Sequence, residues 1–157
     1  MKKIVYIETT IISYLVARPS RDLLLAAHQQ LTRDWWEQER QNYACITSDE
    51  VQREASLGEL EMSRLRLELI RDVPIILTGP EARQLARGIL AEGILPPMAF
   101  ADALHVVVAA TSGAAILLTW NCRHLANPHL LPRFRRHLER NGLELPEICT
   151  PLEITGE

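Results

Sequence analysis

The sequence has few of the residues and patterns that identify several common classes of protein. Its three cysteines, Cys45, Cys122 and Cys149, lie far apart and form no C-x-x-C pair. This spacing argues against a disulfide framework and against a zinc knuckle. No apolar run reaches the length that spans a bilayer, and the start of the chain has no secretory apolar region. We therefore expect a cytoplasmic protein that has no membrane segment.

Lysine and glycine-rich motifs are also scarce. Lysine occurs only at Lys2 and Lys3, so the chain lacks the lysine that phospho-receiver domains use after their last strand. Neither G-x-G-x-x-G nor G-x-x-x-x-G-K-[ST] occurs, which leaves a nucleotide-binding domain poorly supported. The net charge of -3 gives no general attraction to nucleic acid, although residues 123–140 form a locally basic segment.

The composition is that of a globular domain. Of the 157 residues, 47% are hydrophobic and 24% are charged, which predicts one soluble domain over residues 1–157. Strand-like apolar segments alternate with helical patterns, without hairpin signals between them. The segments cover residues 3–7, 43–47, 74–78, 115–119 and 146–150. This alternation predicts an α/β fold, with a central parallel sheet of about five strands and helices on both faces.

Two details of local structure follow from the residue types. The hydroxyl groups of Thr9 and Thr10 are predicted to cap the first helix, and Thr47 is predicted to cap the helix after the second strand. Trp35 and Trp36 lie in an amphipathic pattern. A position in the core is the better interpretation for this pair, and a partner surface is the alternative.

Residues 98–121 form the segment around which the rest of the sequence is organised. The first half predicts a buried helix, and Asp102 lies in its first turn among alanine, leucine and phenylalanine. A charge in such surroundings is costly unless another group pairs with it or a metal binds it. The second half predicts a central strand, and Asn121 follows its carboxyl end, where ligands collect in open α/β sheets.

Other carboxylates follow other strands. Glu8 comes directly after the first strand, and Glu50 and Glu54 lie on one face of the helix that follows the second. Like charges four residues apart repel each other, and a cation would relieve them. We expect these groups to meet Asp102 and Asn121 at one edge of the sheet. Carboxylate and carbonyl oxygens suit Mg²⁺ or Mn²⁺, which can activate water for displacement at a phosphate.

Four blocks of the sequence resemble PIN-domain proteins, and more narrowly the VapC-type ribonuclease toxins of bacterial type II toxin–antitoxin modules. The blocks are VYIETT (residues 5–10), SDEVQREA (48–55), FADALHV (100–106) and LLTWNCRHL (117–125). The resemblance covers residues 4 to 148. It implies a PIN-like three-layer sandwich and a metal-dependent endoribonuclease that uses Mg²⁺ or Mn²⁺. It also implies an RNA substrate, a homodimer and a small antitoxin protein as partners.

The resemblance further implies four catalytic residues, Glu8, Glu54, Asp102 and Asn121. Glu8 and Asp102 would bind the metal directly, and Asn121 is a third candidate ligand that would also orient the attacking water. Glu54 would hold or deprotonate this water. Thr10 falls on a position where the family has Ser, Thr or Asn.

The remaining candidate residues lie close to these four in the sequence. Thr10, Arg123 and His124 are candidates for binding the RNA backbone, because they offer a hydroxyl group or a basic side chain. Glu50 and His105 are candidates for the second shell of the site. His105 lies one turn after Asp102 on nearly the same helix face, although a structural histidine is an equally good interpretation.

Two positions depart from the family pattern. Glu8 stands where the family usually has aspartate, and a displacement of about 1 Å at such a site can cost roughly 100-fold in rate. Asn121 supplies an oxygen but no charge. These departures leave open a catalytically silent PIN-like module that binds protein or RNA. Trp35, Trp36 and Tyr14 would then form a surface for a dimer or an antitoxin.

Overall fold

The computed structural model describes residues 1–154 of the chain. In chain order the strands are β1 (Ile4–Ile7), β2 (Ala44–Ser48), β3 (Ile75–Ile76), β4 (Ile116–Leu118) and β5 (Glu147–Cys149). The α-helices are α1 (Thr9–Val16), α2 (Leu23–Asp34), α3 (Asp49–Ala55), α4 (Leu60–Leu69), α5 (Pro80–Ala91), α6 (Phe100–Thr111) and α7 (Leu131–Arg140). A π-helical turn (Trp35–Glu39) and two short 3-10 segments (Arg40–Asn42 and Pro97–Ala99) complete the ordered elements of this part of the chain.

The five strands form one parallel sheet in the order β3-β2-β1-β4-β5. Each strand falls within or overlaps one of the five predicted segments, and the α/β fold with a parallel sheet is confirmed. The prediction of a single domain extends to residue 157, so its last three residues lie outside the described part. Within residues 1–154, no helix combines the length and the apolar character needed to cross a membrane.

Strand β1 lies at the centre of the sheet because its side chains are apolar on both faces. Val5, Tyr6 and Ile7 are fully buried, as expected for a strand that helices cover on both sides. The chain runs from β1 outward to β3 and then returns to the other side of β1 to form β4. The strand order therefore reverses between β1 and β4, and in open α/β sheets such a point forms a crevice at the carboxyl ends.

Helix α6 packs against the sheet and brings polar groups to this crevice. Residues 103–109 of α6 are all buried, which agrees with the buried helix that the sequence predicts. Helix α5 packs against α6, and its Gly88 also approaches His137 of α7. Gly88 permits the second contact, because a Cβ atom there would lie 2.7 Å from Cε1 of His137.

The helix caps differ from the predicted ones. The carboxylate of Glu8, not a threonine hydroxyl, caps α1 and accepts a hydrogen bond from the backbone N–H of Thr10. Ser48 caps α3 in place of Thr47, whose hydroxyl group donates to the carbonyl oxygen of Ile7. The predicted cap of α1 was wrong by one or two residues and that of α3 by one residue. At α3 the reason is that β2 ends at Ser48, one residue later than predicted.

The two adjacent tryptophans are part of the core. Trp35 and Trp36 are 3% and 9% exposed, so the prediction of a core position is confirmed. These side chains consequently offer no surface for a dimer or an antitoxin. Tyr14 is half-buried and stacks on Trp120, with ring planes 10° apart.

Candidate metal and active site

Three ionisable side chains meet at the carboxyl edge of the sheet. Glu8 follows β1, Glu54 lies on α3, and His105 lies on α6. One ligand atom of each lies within 4.8 Å of the others. We call Glu8, Glu54 and His105 the central cluster. It lies at the reversal of the strand order, where the fold places ligands.

The register of the sheet fixes the surroundings of Glu8. The backbone N–H of Glu8 donates to the carbonyl oxygen of Leu118, which places Glu8 beside Thr119 at the end of β4. The carboxylate then accepts hydrogen bonds from the hydroxyl groups of Thr10 and Thr119 and from the backbone N–H of Thr10. All three donors favour the ionised form of a side chain that is only 3% exposed.

Glu54 and His105 form a short charge-assisted contact. Nε2 of His105 lies 2.6 Å from Oε1 of Glu54, and the hydroxyl group of Thr9 donates to the same oxygen at 2.6 Å. On the other side of the ring, Nδ1 of His105 lies 2.7 Å from the hydroxyl oxygen of Tyr6. The imidazole is fully buried, and both its nitrogens have hydrogen-bond partners within the protein.

Asp102 and Asn121 belong to a second group beside the central cluster. The Asp102 carboxylate lies 2.9 Å from Nδ1 of His124 and accepts a hydrogen bond of 3.3 Å from Nδ2 of Asn121. The backbone N–H of Asn121 donates to the hydroxyl oxygen of Thr119, which itself donates to Glu8. A continuous path of hydrogen bonds therefore joins Asp102 to Glu8.

Burial and neighbouring charges shift the pKa values of the three central-cluster side chains in different directions. Burial raises the pKa of Glu8 above its ordinary value, against the charge of His105 and the hydrogen bonds of Thr10 and Thr119. Burial also acts to raise the pKa of Glu54, but the hydrogen bond and charge of His105 outweigh it and lower the pKa. Burial opposes the charged form of His105, yet its pKa is raised by Glu54, Glu8 and Asp102.

The structure places the other candidate residues around this edge. The hydroxyl group of Thr10 donates to Glu8 and accepts from the backbone N–H of Trp120, so its proton is directed at Glu8. Arg123 is exposed next to His124. Glu50 is bound by Arg53 at 2.6 Å and is not part of the central cluster.

Four polar residues of the site were not predicted to act in it. Tyr6, Ser48, Thr9 and Thr119 supply hydroxyl groups that bind the ionisable side chains or one another. Thr9 was interpreted only as a helix cap, and Thr119 only as the end of a strand. A hydroxyl group inside the apolar run of β1 was the available signal for Tyr6, since a buried tyrosine usually has a hydrogen-bond partner.

The donor set fits a hard divalent cation. Carboxylates from Glu8 and Glu54 converge, and Asp102 lies close enough for its charge to act on His105. The amide oxygen of Asn121 accepts a hydrogen bond from the backbone N–H of His124 at 2.9 Å, and its amide nitrogen faces Asp102. Mg²⁺ and Mn²⁺ prefer oxygen ligands of this kind. Both nitrogens of His105 already have partners, which makes His105 a donor to Glu54 and not a ligand.

Comparison with known proteins identifies the fold. No family model matches the sequence, and no curated protein matches it. Among solved structures, the chain is similar to the Mycobacterium tuberculosis toxin VapC20, described as cleaving the sarcin–ricin loop. The TM-score is 0.59 at 14% identity, over 76% of this chain and 92% of VapC20.

A second solved structure gives the same result. VapBC2 from Rickettsia felis, bound to a DNA fragment from its promoter, matches with a TM-score of 0.57 at 16% identity. The match covers 94% of this chain and 98% of that one. At such identities the likeness shows the fold alone. The PIN-like α/β fold that the sequence blocks implied is confirmed, and the chain shares its fold with VapC20 and with a chain of VapBC2.

Proposed function

We propose that the protein is a Mg²⁺- or Mn²⁺-dependent endoribonuclease and the toxin of a type II toxin–antitoxin pair in the cytoplasm. The observation that supports this most is the central cluster itself. Two buried or half-buried carboxylates and a histidine meet within 4.8 Å at the switch point of a PIN-like sheet. Asp102 and Asn121 are hydrogen-bonded to each other beside them.

Each residue of the site has a different proposed role in phosphodiester hydrolysis. Glu8 and Asp102 would hold the cation, and Asn121 would add a third ligand through its amide oxygen, which also accepts from the backbone N–H of His124. The cation, when bound, activates water and neutralises the charge that develops on the phosphate. Glu54 would orient the attacking water and accept its proton, because the carboxylate is ionised at neutral pH and one of its oxygens has no hydrogen-bond partner within residues 1–154. His105 holds Glu54 in place.

Basic side chains near the site support an RNA substrate. Arg123 and His124 adjoin Asp102 in the loop after β4 and can contact backbone phosphates. Farther along the chain, Arg135 and Arg136 are exposed on α7. Thr10 would have to give up its hydrogen bond to Glu8 to bind a phosphate, so its first role is to position Glu8.

An apolar groove supports the proposal of a protein partner. A cavity of about 480 Å³ is lined by Leu15 and Val16 of α1 and by Leu65 and Leu69 of α4. Leucines 23, 24 and 60 are exposed on the surface. Exposed apolar surface of this kind marks protein interfaces. We propose an apolar segment of an antitoxin as the occupant of the groove and the exposed leucines as part of a homodimer interface.

The function is tested by replacing Asp102 and measuring both metal binding and cleavage. Asp102→Asn keeps the shape of the side chain but removes one charge from the cation site. Mutation of a group that only supports a ligand typically costs about 10- to 100-fold in metal affinity, so we expect Asp102→Asn to lower Mn²⁺ affinity, measured by calorimetry, at least as far. Cleavage of a structured RNA should fall with it. The exposed Asp72→Asn serves as the matched control and should bind and cleave like the unchanged protein. Equal cleavage by the two variants would contradict the proposed mechanism.

A further inference from the structure

A chain of hydrogen bonds crosses the core behind the site. It begins at the backbone N–H of Val51, which donates to Oγ of Ser48 at 3.2 Å. Oγ of Ser48 lies 2.7 Å from the hydroxyl oxygen of Tyr6, and this oxygen lies 2.7 Å from Nδ1 of His105. The chain ends with Nε2 of His105 at Oε1 of Glu54.

We propose that Tyr6 is a positioning residue of the site, whose hydroxyl group fixes the ring of His105 so that the Nε2 proton is directed at Glu54. The inference rests on the proposed function for its meaning, because Glu54 is the residue that acts on water there. Tyr6 itself touches neither the substrate nor the cation.

The direction of the hydrogen bonds follows from the two ends of the chain. A backbone N–H only donates, so Oγ of Ser48 accepts from Val51, and its own proton is free for Tyr6. Tyr6 then donates to Nδ1 of the neutral ring, and the ring proton is on Nε2. This direction matches the other end, since the carboxylate of Glu54 only accepts. When the ring is charged, Tyr6 still holds Nδ1, and Nε2 still carries a proton.

The burial of Tyr6 makes its hydroxyl group hard to replace. Tyr6, Ser48 and His105 are each fully buried, so bulk water does not compete for these contacts. Parallel pairing of β1 with β2 brings Tyr6 beside the end of β2, and Ser48 is the last residue of that strand. Without the hydroxyl group, the buried Nδ1 of His105 loses its partner, and Glu54 alone then holds the ring in place.

The consequence for the site concerns the two oxygens of Glu54. His105 and Thr9 both bind Oε1. Within residues 1–154, no hydrogen bond reaches Oε2. The carboxylate is thus held by one oxygen and presents the other to the site. Groups that hold a residue of a metal site in place from behind typically change metal affinity or activity about 10- to 100-fold when they are mutated.

The inference is tested by ¹⁵N NMR of His105 in the metal-free protein, at a pH where the ring is neutral. We expect the unchanged protein to show one tautomer, with the proton on Nε2 and a hydrogen bond accepted by Nδ1. Tyr6→Phe should show an Nδ1 that has lost its hydrogen bond, and it should bind Mn²⁺ about 10-fold more weakly by calorimetry. The control is Tyr43→Phe, which removes a tyrosine hydroxyl group outside the hydrogen-bond chain and should change neither property.

Several outcomes would overturn the inference. A proton on Nδ1 in the unchanged protein contradicts it without any variant, and so does a Tyr6→Phe spectrum identical to that of the control. A second pair of variants covers the case in which Tyr6→Phe does not fold. His105→Gln keeps an N–H that can reach Glu54 and should retain more Mn²⁺ affinity than His105→Leu, whereas equal affinities would contradict the role of Nε2. If the unchanged protein binds no Mn²⁺, the proposed function fails, while the NMR result still decides the tautomer.

Discussion

Glu8 and Glu54 are close together, but their surroundings shift their pKa values in opposite directions. Burial dominates at Glu8 and raises its pKa, so the folded protein resists ionising this group in the absence of a cation. At Glu54 the hydrogen bond and charge of His105 overcome burial and lower the pKa. One carboxylate therefore gains from a bound cation, and the other is already stabilised as an anion beside the water that it would act on.

The contact between Glu54 and His105 predicts a window of pH in which it stabilises the metal-free protein. The pKa of Glu54 is lowered from 4.5, so its contribution is complete above pH 4.5 and is lost as the pH falls further. The pKa of His105 is raised from 6.5, so its contribution is complete below pH 6.5 and is lost as the pH rises further. Within this window, Glu54→Gln should lower the free energy of unfolding by about 1.5–3 kcal/mol.

Urea unfolding of the metal-free protein, kept in the presence of a chelator, at a series of pH values checks this prediction. The exposed Glu139→Gln is the matched control and should stay within about 0.5 kcal/mol of the unchanged protein. The deficit of Glu54→Gln should shrink in acid, where Glu54 is itself protonated. A deficit that is the same at every pH would contradict the assigned pKa shifts.

At the scale of elements, the close contact between α5 and α7 depends on Gly88. A Cβ atom there would lie 2.7 Å from Cε1 and 3.2 Å from Nε2 of His137. The His137 ring cannot easily move aside, because it is 5% exposed and its Nε2 lies 3.1 Å from the carbonyl oxygen of Leu85. Overpacking of this kind typically costs about 1–3 kcal/mol.

Gly88→Ala should therefore destabilise the protein although alanine is the better helix former. Alanine gains about 1 kcal/mol in a helix interior, so the expected net loss is about 0–2 kcal/mol. In a His137→Ala background the clash is gone, and the same substitution should stabilise the protein by up to about 1 kcal/mol. Denaturant unfolding of all four proteins measures this coupling. An equal effect of Gly88→Ala in both backgrounds would show that the two helices do not meet at this point.

At the scale of the whole molecule, the carboxylates of Glu8 and Glu54 repel each other, and a bound cation would reduce this repulsion and raise the free energy of unfolding. Added Mn²⁺ should stabilise the folded protein by about 2.7 kcal/mol at a free concentration 100 times the Kd. Glu8→Gln should lose most of this gain, because it removes a buried carboxylate from the central cluster. The exposed Glu81→Gln is the matched control and should keep the gain. Thermal unfolding with and without Mn²⁺ makes the comparison, and an equal gain in both variants would exclude Glu8 as a ligand.

The local sequence pattern was enough to predict the strands and to predict that the site is acidic. The apolar runs predicted all five strands, and the first half of residues 98–121 was predicted as the buried helix that the structure shows as α6. Carboxylates that follow strands predicted a site at the carboxyl edge, and Glu8 and Glu54 do meet there. These predictions succeed because the apolar run of a buried strand and the apolar period of a helix are both properties of residues that are neighbours in the sequence.

The sequence by itself thus determined which segments become strands and helices and that acidic side chains follow the strands. Only the tertiary structure decided which partners each side chain meets. β4 pairs with β1, and this pairing places Thr119 on Glu8. The packing of α6 delivers His105 to Tyr6 and Glu54. The physical reason is that strand order and register depend on how whole faces of the sheet and helices pack together. Tyr6 and His105 are 99 residues apart in the sequence, so no local pattern indicates that their side chains meet.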